Sequence, residues 1–409
     1  MAARVIYTFG EFELDIGRFE LRRAGVVVGI EPQVFDVLAL LVRERDRVVG
    51  KDELLDTVWG SRFVSESTLT SRIKALRRAV GDDGKAQRLV RTAHGRGYQF
   101  VAPVVERSDA TTSPATPATE SALPPSQDIR FCTTVEGARL AYATMGEGPP
   151  LVKAANWLSH LDYDWQSSVW RHWLVELSNR FRLVRYDERG CGLSDWDVPE
   201  FSFEAWVRDL EAVVDAAGLD RFALLGISQG GPVAIAYAVR HPERVSRLVL
   251  LGAFAQGRRK RARRPEDLDL VEARINLVRV GWGRPDPQYR QMFLSRFLPE
   301  GTQDEWREFD ELQRRSTSPE NAWRFVQEFA DIDVSDLAAK VSAPTLIACA
   351  RREPDETFEQ SRVLASLIPN GRLVPLDSAN HLLPERDPAW TQFLAELDAF
   401  FAQQPDSGA

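Results

Sequence analysis

The run Arg221-Phe-Ala-Leu-Leu-Gly226-Ile-Ser228-Gln-Gly230-Gly231 constrains this chain more than any other stretch. Phe222 to Ile227 has the length and apolar character of a buried strand, and Pro232-Val-Ala-Ile-Ala-Tyr-Ala-Val reads as a helix. Gly-x-Ser-x-Gly lies between them. A strand that turns into a helix this abruptly brings backbone segments so close that the positions two before and two after the serine must be small. The turn strains the serine backbone, lifts its hydroxyl clear of the sheet and points the following amides at an incoming oxyanion. Ser228 is therefore the candidate nucleophile. A glycine-rich turn that merely contains a serine lacks the strand before it and the helix after it.

The rest of the chain must be read against that site. With 409 residues it can form two or three domains with well-developed cores. Cys132, Cys191 and Cys349 lie far apart, which suggests neither a disulfide framework nor a zinc spacing, and no metal or cofactor is expected. No apolar run approaches the length of a membrane helix, and Met1-Ala-Ala-Arg-Val-Ile-Tyr lacks the apolar core of a signal peptide. The expectation is a cytoplasmic protein with no membrane partner. Net charge is −8, unevenly placed: residues 1–107 carry 18 Lys and Arg against 15 Asp and Glu, the remainder 34 against 45. A positive front end has the sign expected of a nucleic-acid partner. Residues 108–128, dominated by Pro, Thr and Ala, cannot bury enough surface to offset ordering entropy and read as a flexible linker. They separate a front domain, 1–107, from a back domain, 129–403.

In the front domain, Tyr7-Thr-Phe-Gly-Glu-Phe-Glu-Leu-Asp and Arg18-Phe-Glu-Leu-Arg-Arg alternate as half-buried strands do. Helices are expected from Pro32, from Lys51 to Trp59 and from Ser65 to Val80, and Leu89 to Val101 reads as a hairpin. In the third helix Leu69, Ile73, Leu76 and Val80 form a core-facing stripe, opposite Thr70, Ser71, Arg72, Lys74, Arg77 and Arg78. Short polar groups near the start and cations along the length suit a major groove, although on an isolated helix they would equally make a solvated face. The Val58-Trp59-Gly60 helix end, the Ser67-Thr-Leu…Ile-Lys-Ala-Leu-Arg-Arg pattern and Arg91-Thr-Ala-His-Gly-Arg-Gly-Tyr-Gln-Phe resemble the OmpR-type winged-helix family of transcriptional regulators over about residues 5–104. The resemblance implies double-stranded DNA as partner. Thr70, Ser71 and Lys74 would face bases, Arg72, Arg77 and Arg78 phosphates, and Arg96 at the wing tip the minor groove. It also makes a homodimer on DNA plausible. Family members usually follow a receiver domain; none precedes the winged helix in this sequence.

The back domain alternates strands and helices, which predicts a mainly parallel sheet with helices on both faces. The rhythm breaks at about 255–340, a charged, Trp-rich stretch that reads as a helical cap. Its sequence gives no code for a ligand, and Trp282, Trp306 and Trp323 are expected to pack rather than line a pocket. The strand order around Gly-x-Ser-x-Gly, with Asp187-Glu-Arg-Gly190-Cys-Gly192-Leu-Ser194-Asp195 before it and His241-Pro-Glu-Arg-Val after it, resembles the α/β-hydrolase superfamily. The fold class is thus multidomain: an α+β winged helix followed by an α/β-hydrolase fold with a helical cap.

By this resemblance Ser228 is the nucleophile, and the base and acid follow in the order serine, acid, histidine. Of the five histidines only His381, in Asp377-Ser-Ala-Asn-His381, has the right place. His241 is expected to be structural, His94 to belong to the wing, and His160 and His172 to be structural or at the surface. Where relatives show Gly-Asp, this chain has Arg351-Arg352-Glu353-Pro354-Asp355; the register favours Glu353 as acid, with Asp355 the second candidate. Relatives carry His-Gly in the oxyanion loop, whereas this chain reads Ala155-Asn156-Trp157; the amides of Trp157 and Gln229 are the expected donors. The function implied is a transcriptional regulator whose hydrolase-like domain senses, and in doing so hydrolyses or captures, a small-molecule ligand. The alternative is an esterase-like serine hydrolase with an accessory winged helix.

Overall fold

The computed structural model describes residues 5–15, 20–23, 26–28, 30, 32–59, 66–82, 86–93, 96–108, 127–282, 284, 288–354 and 357–403. The chain divides into two compact units, Met1–Leu123 and Pro124–Ala409. Most of the expected linker, 109–126, lies outside the described residues. Its outer edges differ from expectation, because Ser108 ends one strand and Asp128 begins another.

The first unit runs β1 (Val5–Phe9), β2 (Phe12–Asp15), β3 (Glu20–Arg23), β4 (Val26–Val28), α1 (Pro32–Arg43), β5 (Val49–Gly50), α2 (Lys51–Trp59), α3 (Glu66–Ala79), β6 (Val90–Ala93), β7 (Gly97–Phe100) and β8 (Val105–Ser108). An antiparallel sheet of order β4-β3-β2-β1-β8 and a small sheet of order β5-β7-β6 flank the helices. The stripe Leu69, Ile73, Leu76 and Val80 is buried in one core with Val34, Leu38 and Leu41 of α1 and Phe100 of β7. Periodicity alone identified α1, α3 and the β6–β7 hairpin. It missed β4 and β5, which are too short to show alternation, and β8, whose Val105-Glu-Arg-Ser has a single apolar residue.

The second unit begins with β9 (Asp128–Thr133), β10 (Arg139–Met145), β11 (Pro150–Lys153), α4 (Arg171–Arg180), β12 (Arg182–Tyr186), α5 (Phe203–Ala216), β13 (Phe222–Ile227), α6 (Gly230–Arg240) and β14 (Val245–Leu251). The cap follows as α7 (Arg258–Arg261), α8 (Pro265–Gly281), α9 (Gln288–Phe297), α10 (Gln303–Ser316), α11 (Pro319–Asp331) and α12 (Ser335–Ala338). The sheet then resumes with β15 (Thr345–Ala350), α13 (Thr357–Leu367), β16 (Gly371–Leu376) and α14 (Pro388–Ala402). One eight-stranded sheet has the order β16-β15-β14-β13-β11-β12-β10-β9. From β12 to β16 every pairing is parallel, and β10 and β9 close one edge in antiparallel pairs.

Each face of the sheet carries its own core. Along β13 all six residues are buried, with Phe222 and Leu224 in one core and Ala223, Leu225 and Ile227 in the other. The chain passes from β11 to β12 on one side and then to β13 on the other. Neighbouring loops after β11 and β13 therefore diverge, opening a crevice at the carboxyl ends of the strands. The amide of Ala154 still bonds Leu225 O at 2.9 Å, which fixes the two loops together where they part. Among the described residues no helix is long and apolar enough to cross a membrane.

Candidate active site and nucleic-acid interface

On α3, Thr70, Ser71, Lys74 and Arg78 are exposed and Arg72 is half-buried; Arg96, beyond the turn of the hairpin, is exposed. Arg77 departs from the sequence reading. Its guanidinium donates to Val90 O at 2.8 Å and to Thr92 Oγ1 at 2.9 Å. It is half-buried and ties α3 to the first strand of the hairpin, a structural role that its place on the polar face did not suggest. A helical wheel places Arg77 on the polar face; only the register of β6 reveals its acceptors. His94 lies outside the described residues.

In the second unit Ser228 has φ 52°, a left-handed conformation rare for a residue with a side chain. Its amide donates to Leu251 O at 2.8 Å, and Gly231 N returns to Ser228 O at 3.0 Å, which locks the turn. A Cβ on Gly230 would stand 2.6 Å from Ala155 O, so the loop after β11 can approach only because that position is glycine.

His381 sits after β16 and is braced from several sides. Its amide donates to Phe297 O at 2.9 Å, and the Phe297 ring meets the imidazole edge-on with centroids 5.5 Å apart. Asp387 holds the same loop through Ser378 Oγ at 2.5 Å and Asn380 Nδ2 at 2.9 Å. Gly252, after β14, lies directly under the ring: a Cβ there would come within 2.7 Å of Cε1. The Nδ1 hydrogen of His381 is donated to Glu353 Oε1, and both side chains are almost wholly buried. The other carboxylate oxygen of Glu353 accepts from Cys349 Sγ at 3.5 Å. Burial pushes the Cys349 thiol up, so it stays protonated and acts as a donor. The structure thus brings together Ser228, His381 and Glu353, and Nε2 of His381 has no hydrogen-bond partner among the described residues. Asp355, the second candidate acid, lies outside them.

The oxyanion loop differs from its sequence reading in one respect. The Trp157 amide donates to the side chain of Gln229, at 2.7 Å from Oε1, and Gln229 Nε2 donates to Glu188 Oε1 at 2.7 Å. One of the two expected donors is therefore occupied by the side chain of the residue that carries the other. Burial holds the Glu188 carboxyl well above the usual carboxylate range, with the charge of Asp209 adding to the effect. Lys153 Nζ donates to Asn156 Oδ1, and Asn156 Nδ2 donates to Trp157 O at 3.1 Å. A buried polar chain thus runs from Lys153 to Glu188 beneath the elbow.

The remaining histidines have structural partners: His241 pairs with Glu211 at 3.0 Å, His172 Nε2 meets Leu383 O at 2.8 Å and His160 Nδ1 accepts from Tyr163 N at 3.2 Å. Trp282 packs edge-on against Trp157, Trp306 donates to Leu298 O and Trp323 packs against Val271, Ile275 and Ala330. A cavity of about 120 Å³ joins the site to the cap. Its wall includes Ser228, Gln229, Trp157, His381 and Glu353 together with Arg258, Arg261, Arg274 and Arg296. Sequence reasoning missed these arginines, because nothing in the charged cap stretch distinguishes the cations that turn inward. Among the described residues no group of His, Cys, Asp or Glu is placed to hold a metal ion.

The family model for the alpha/beta hydrolase fold matches residues 165–388, and that for the C-terminal domain of transcriptional regulatory proteins matches residues 25–100. The transcriptional regulator HilA of Salmonella typhi is 38% identical over 110 residues, which are 27% of this chain and 20% of HilA; the chain thus spans about one-fifth of that relative's length. Pyrrolizixenacetamide deacetylase of Xenorhabdus hominickii is 26% identical over 277 residues, 66% of this chain and 97% of the deacetylase. A solved hydrolase from Pseudomonas aeruginosa superposes with a TM-score of 0.56 at 24% identity, over 68% of this chain and 99% of that one, a likeness of fold.

Proposed function

Since the chain belongs to the alpha/beta hydrolase fold family and carries a winged-helix domain of the transcriptional-regulator type ahead of that fold, we propose that it is a cytoplasmic DNA-binding regulator whose hydrolase-fold unit senses a small acyl compound by reacting with it at Ser228. The observation that carries this reading is the buried His381–Glu353 pair in one cavity with the strained Ser228, in a chain whose α3 exposes Thr70, Ser71, Lys74 and Arg78. In the first step Ser228 Oγ attacks the acyl carbon and its proton passes to His381 Nε2. Glu353, on Nδ1, stabilises the imidazolium and fixes the tautomer. The carbonyl electrons collect on an oxygen beside the Gln229 amide, and the Trp157 amide joins it when the Gln229 side chain turns away. Collapse expels the leaving group with the proton held by His381. Water then releases the acyl group by the same route.

On DNA, Thr70, Ser71 and Lys74 are the candidates to read base edges, with Arg72, Arg78 and Arg96 on the backbone or in the minor groove. A homodimer on DNA belongs to the same proposal. An alternative, a serine hydrolase with an accessory DNA-binding domain, draws on the same His381–Glu353 pair.

A fluorophosphonate probe tests the chemistry and the coupling together. It is expected to label the wild-type chain, to fail on Ser228→Ala, and to label His381→Ala and Glu353→Gln slower by about 10²-fold or more. Equal labelling of Ser228→Ala removes the nucleophile. Modified and unmodified chains are then compared for binding to promoter DNA near the gene. Capture at Ser228 is expected to change affinity by about fivefold or more, the range of ordinary allosteric coupling. Sequence-selective binding that is indifferent to labelling would favour the accessory-domain reading, and absence of salt-dependent, selective binding would end the regulator reading.

A further inference from the structure

The cap helix α8 is apolar on two sides. Val271, Ile275 and Val278 recur at helical spacing, are buried and line the cavity that holds Ser228. Leu270, Ala273, Leu277 and Val280 recur at spacings of three, four and three, and their row lies roughly 150° round the helix from the first. Leu270 is 52% exposed and Val280 43%, Ala273 is exposed and Leu277 half-buried. The concentration is local. Seven large apolar side chains are exposed among the described residues of the second unit, and Leu268, Leu270 and Val280 of α8 and Met292 of α9 are four of them. A single exposed leucine is ordinary, whereas a spaced row marks a contact surface.

Three-four spacing is the seam of a coiled coil, with Leu270 and Leu277 in one seam position and Ala273 and Val280 in the other. A helix of the same spacing closes such a seam, and a second copy of α8 supplies one. Charge chooses the direction. From Pro265 to Glu272 the helix carries Glu266, Asp267, Asp269 and Glu272 and no cation; from Ala273 to Gly281 it carries Arg274 and Arg279 and no acid. Asp267 is paired with Arg264 and Glu272 with Arg259, and Glu266, Asp269 and Arg279 are exposed. Arg284, over the Tyr289 ring, follows the helix end at the same distance in sequence from Ile275 as Glu266. This order suits the dipole of one helix. In a parallel pair it would set like charge beside like, whereas an antiparallel pair lays each acidic half along the basic half of the other copy. A two-fold axis level with Ile275 then matches Leu270 with Val280, and Ala273 with Leu277, of the second copy. An anionic lipid surface fits less well, because Glu266 and Asp269 flank the row where cations would be needed.

We propose that the outer face of α8 is an interface with a second copy of this chain, formed by two α8 helices packed antiparallel. The interface rests neither on the reading of Ser228 nor on DNA binding. Because Val271, Ile275 and Val278 of the same helix line the cavity, a ligand inside and a partner outside hold different sides of one element.

Sedimentation equilibrium of the full-length chain, without DNA or ligand, is expected to show a monomer–dimer equilibrium. The seam spans about 15 Å, so a dissociation constant of about 1–100 µM is expected. Leu270→Lys and Val280→Glu each set a charge against an apolar partner and should weaken self-association at least about tenfold. Both positions are exposed, so thermal midpoints should stay within about 2 °C of wild type, which separates lost association from lost fold. An equimolar mixture of the two variants tests the register. Antiparallel packing brings the new lysine of one chain against the new glutamate of the other and leaves Leu270 and Val280 to pack across the axis. The mixture should therefore recover most of the wild-type association, as a heterodimer. A wild-type chain still monomeric at about 200 µM, self-association untouched by either substitution, or a mixture no more associated than its components would each overturn the proposal. A monomeric wild-type chain that binds phosphatidylglycerol vesicles, and loses them with Val280→Glu, would assign the face to lipid and overturn it too. Dimers of a chain that shows no selective DNA binding would leave the interface standing and remove the regulator reading.

Discussion

On α3, Lys74 and Arg78 stand in water, whereas in the hydrolase-fold cavity Arg258 and Arg296 stand among Val271, Ile275 and Phe297. The same kind of charge has different consequences in the two settings. In water two unit charges 4 Å apart interact by about 1 kcal/mol and are screened within about 8 Å at physiological salt. Cations can therefore accumulate on a surface at little cost, and they attract a polyanion collectively and in a salt-dependent way. In a cavity each added cation makes the next harder to bury. Such a cluster therefore depends on the groups that accompany each cation more than on salt. The first arrangement suits a long, repetitive partner such as duplex DNA.

The comparison breaks if buried cations in this protein are in fact well solvated, and Lys153 tests that with the largest expected effect. Its ammonium is buried, donates to Asn156 Oδ1 and lies 5.1 Å from the centre of the Trp170 ring; burial brings its pKa from 10.5 down to about 8, against the pull of Asp164. Below pH 8 both folded and unfolded chains hold the proton, and the buried charge weighs against folding. Between about pH 8 and 10.5 the unfolded chain keeps a proton that the folded chain gives up, so stability rises with pH. The full gain is on the order of 3 kcal/mol. Denaturant midpoints of wild type and Lys153→Met measured across that window should diverge in favour of the wild type as pH rises. Parallel curves would mean that Lys153 is not desolvated.

Arg77 sharpens the comparison from the other side, because it sits on a surface helix yet behaves as a buried group. Arg77→Ala leaves Val90 O and Thr92 Oγ1 without their donor, a loss of about 2 kcal/mol. Hydrogen exchange should show β6 and the end of α3 opening more readily in the variant. At the same time the salt dependence of DNA binding should keep its slope, since no phosphate contact is removed. A reduced slope with unchanged exchange would return Arg77 to the DNA surface.

This residue also shows where the sequence stops being informative. The places of Ser228 and Glu353 were legible because β13 and β15 are wholly buried and each ends where an apolar run stops; β16 is only partly buried, and the place of His381 came from the resemblance. Leu69, Ile73, Leu76 and Val80 were legible because helical period sorts them from their neighbours. The structural tie of Arg77 went unseen because its acceptors belong to a strand 13 residues away, and pairing register has no local signature. β9 went unseen because its apolar Phe131 is exposed, and β10 because Leu140 to Ala143 are buried in succession, so neither alternates simply. The cavity arginines were invisible for a further reason. Arg258–Arg261 is basic at every position, so no apolar stripe indicates which side turns inward. The Gln229 side chain on the Trp157 amide likewise follows from the approach of two loops at the parting of β11 and β13.

The smallest effect expected is the most direct measure of the solvated half of the comparison. Arg78 is exposed on the last turn of α3, and Arg96 is exposed beside the hairpin turn. If they meet phosphate or the minor groove, Arg78→Ala and Arg96→Ala should leave hydrogen exchange across the first unit unchanged. Arg78→Ala, as a phosphate contact, should weaken binding to every DNA sequence alike and reduce the slope of log affinity against log salt by about 1. Arg96→Ala should weaken A·T-rich flanks more than G·C-rich ones, because a narrow minor groove concentrates the potential an arginine senses. Fluorescence anisotropy over a salt series on two promoter fragments differing only in the flank decides both. A pair of variants with identical slopes to wild type would show that these cations do not meet DNA, and the polyelectrolyte half of the comparison would have to rest on Arg72 and Lys74 alone.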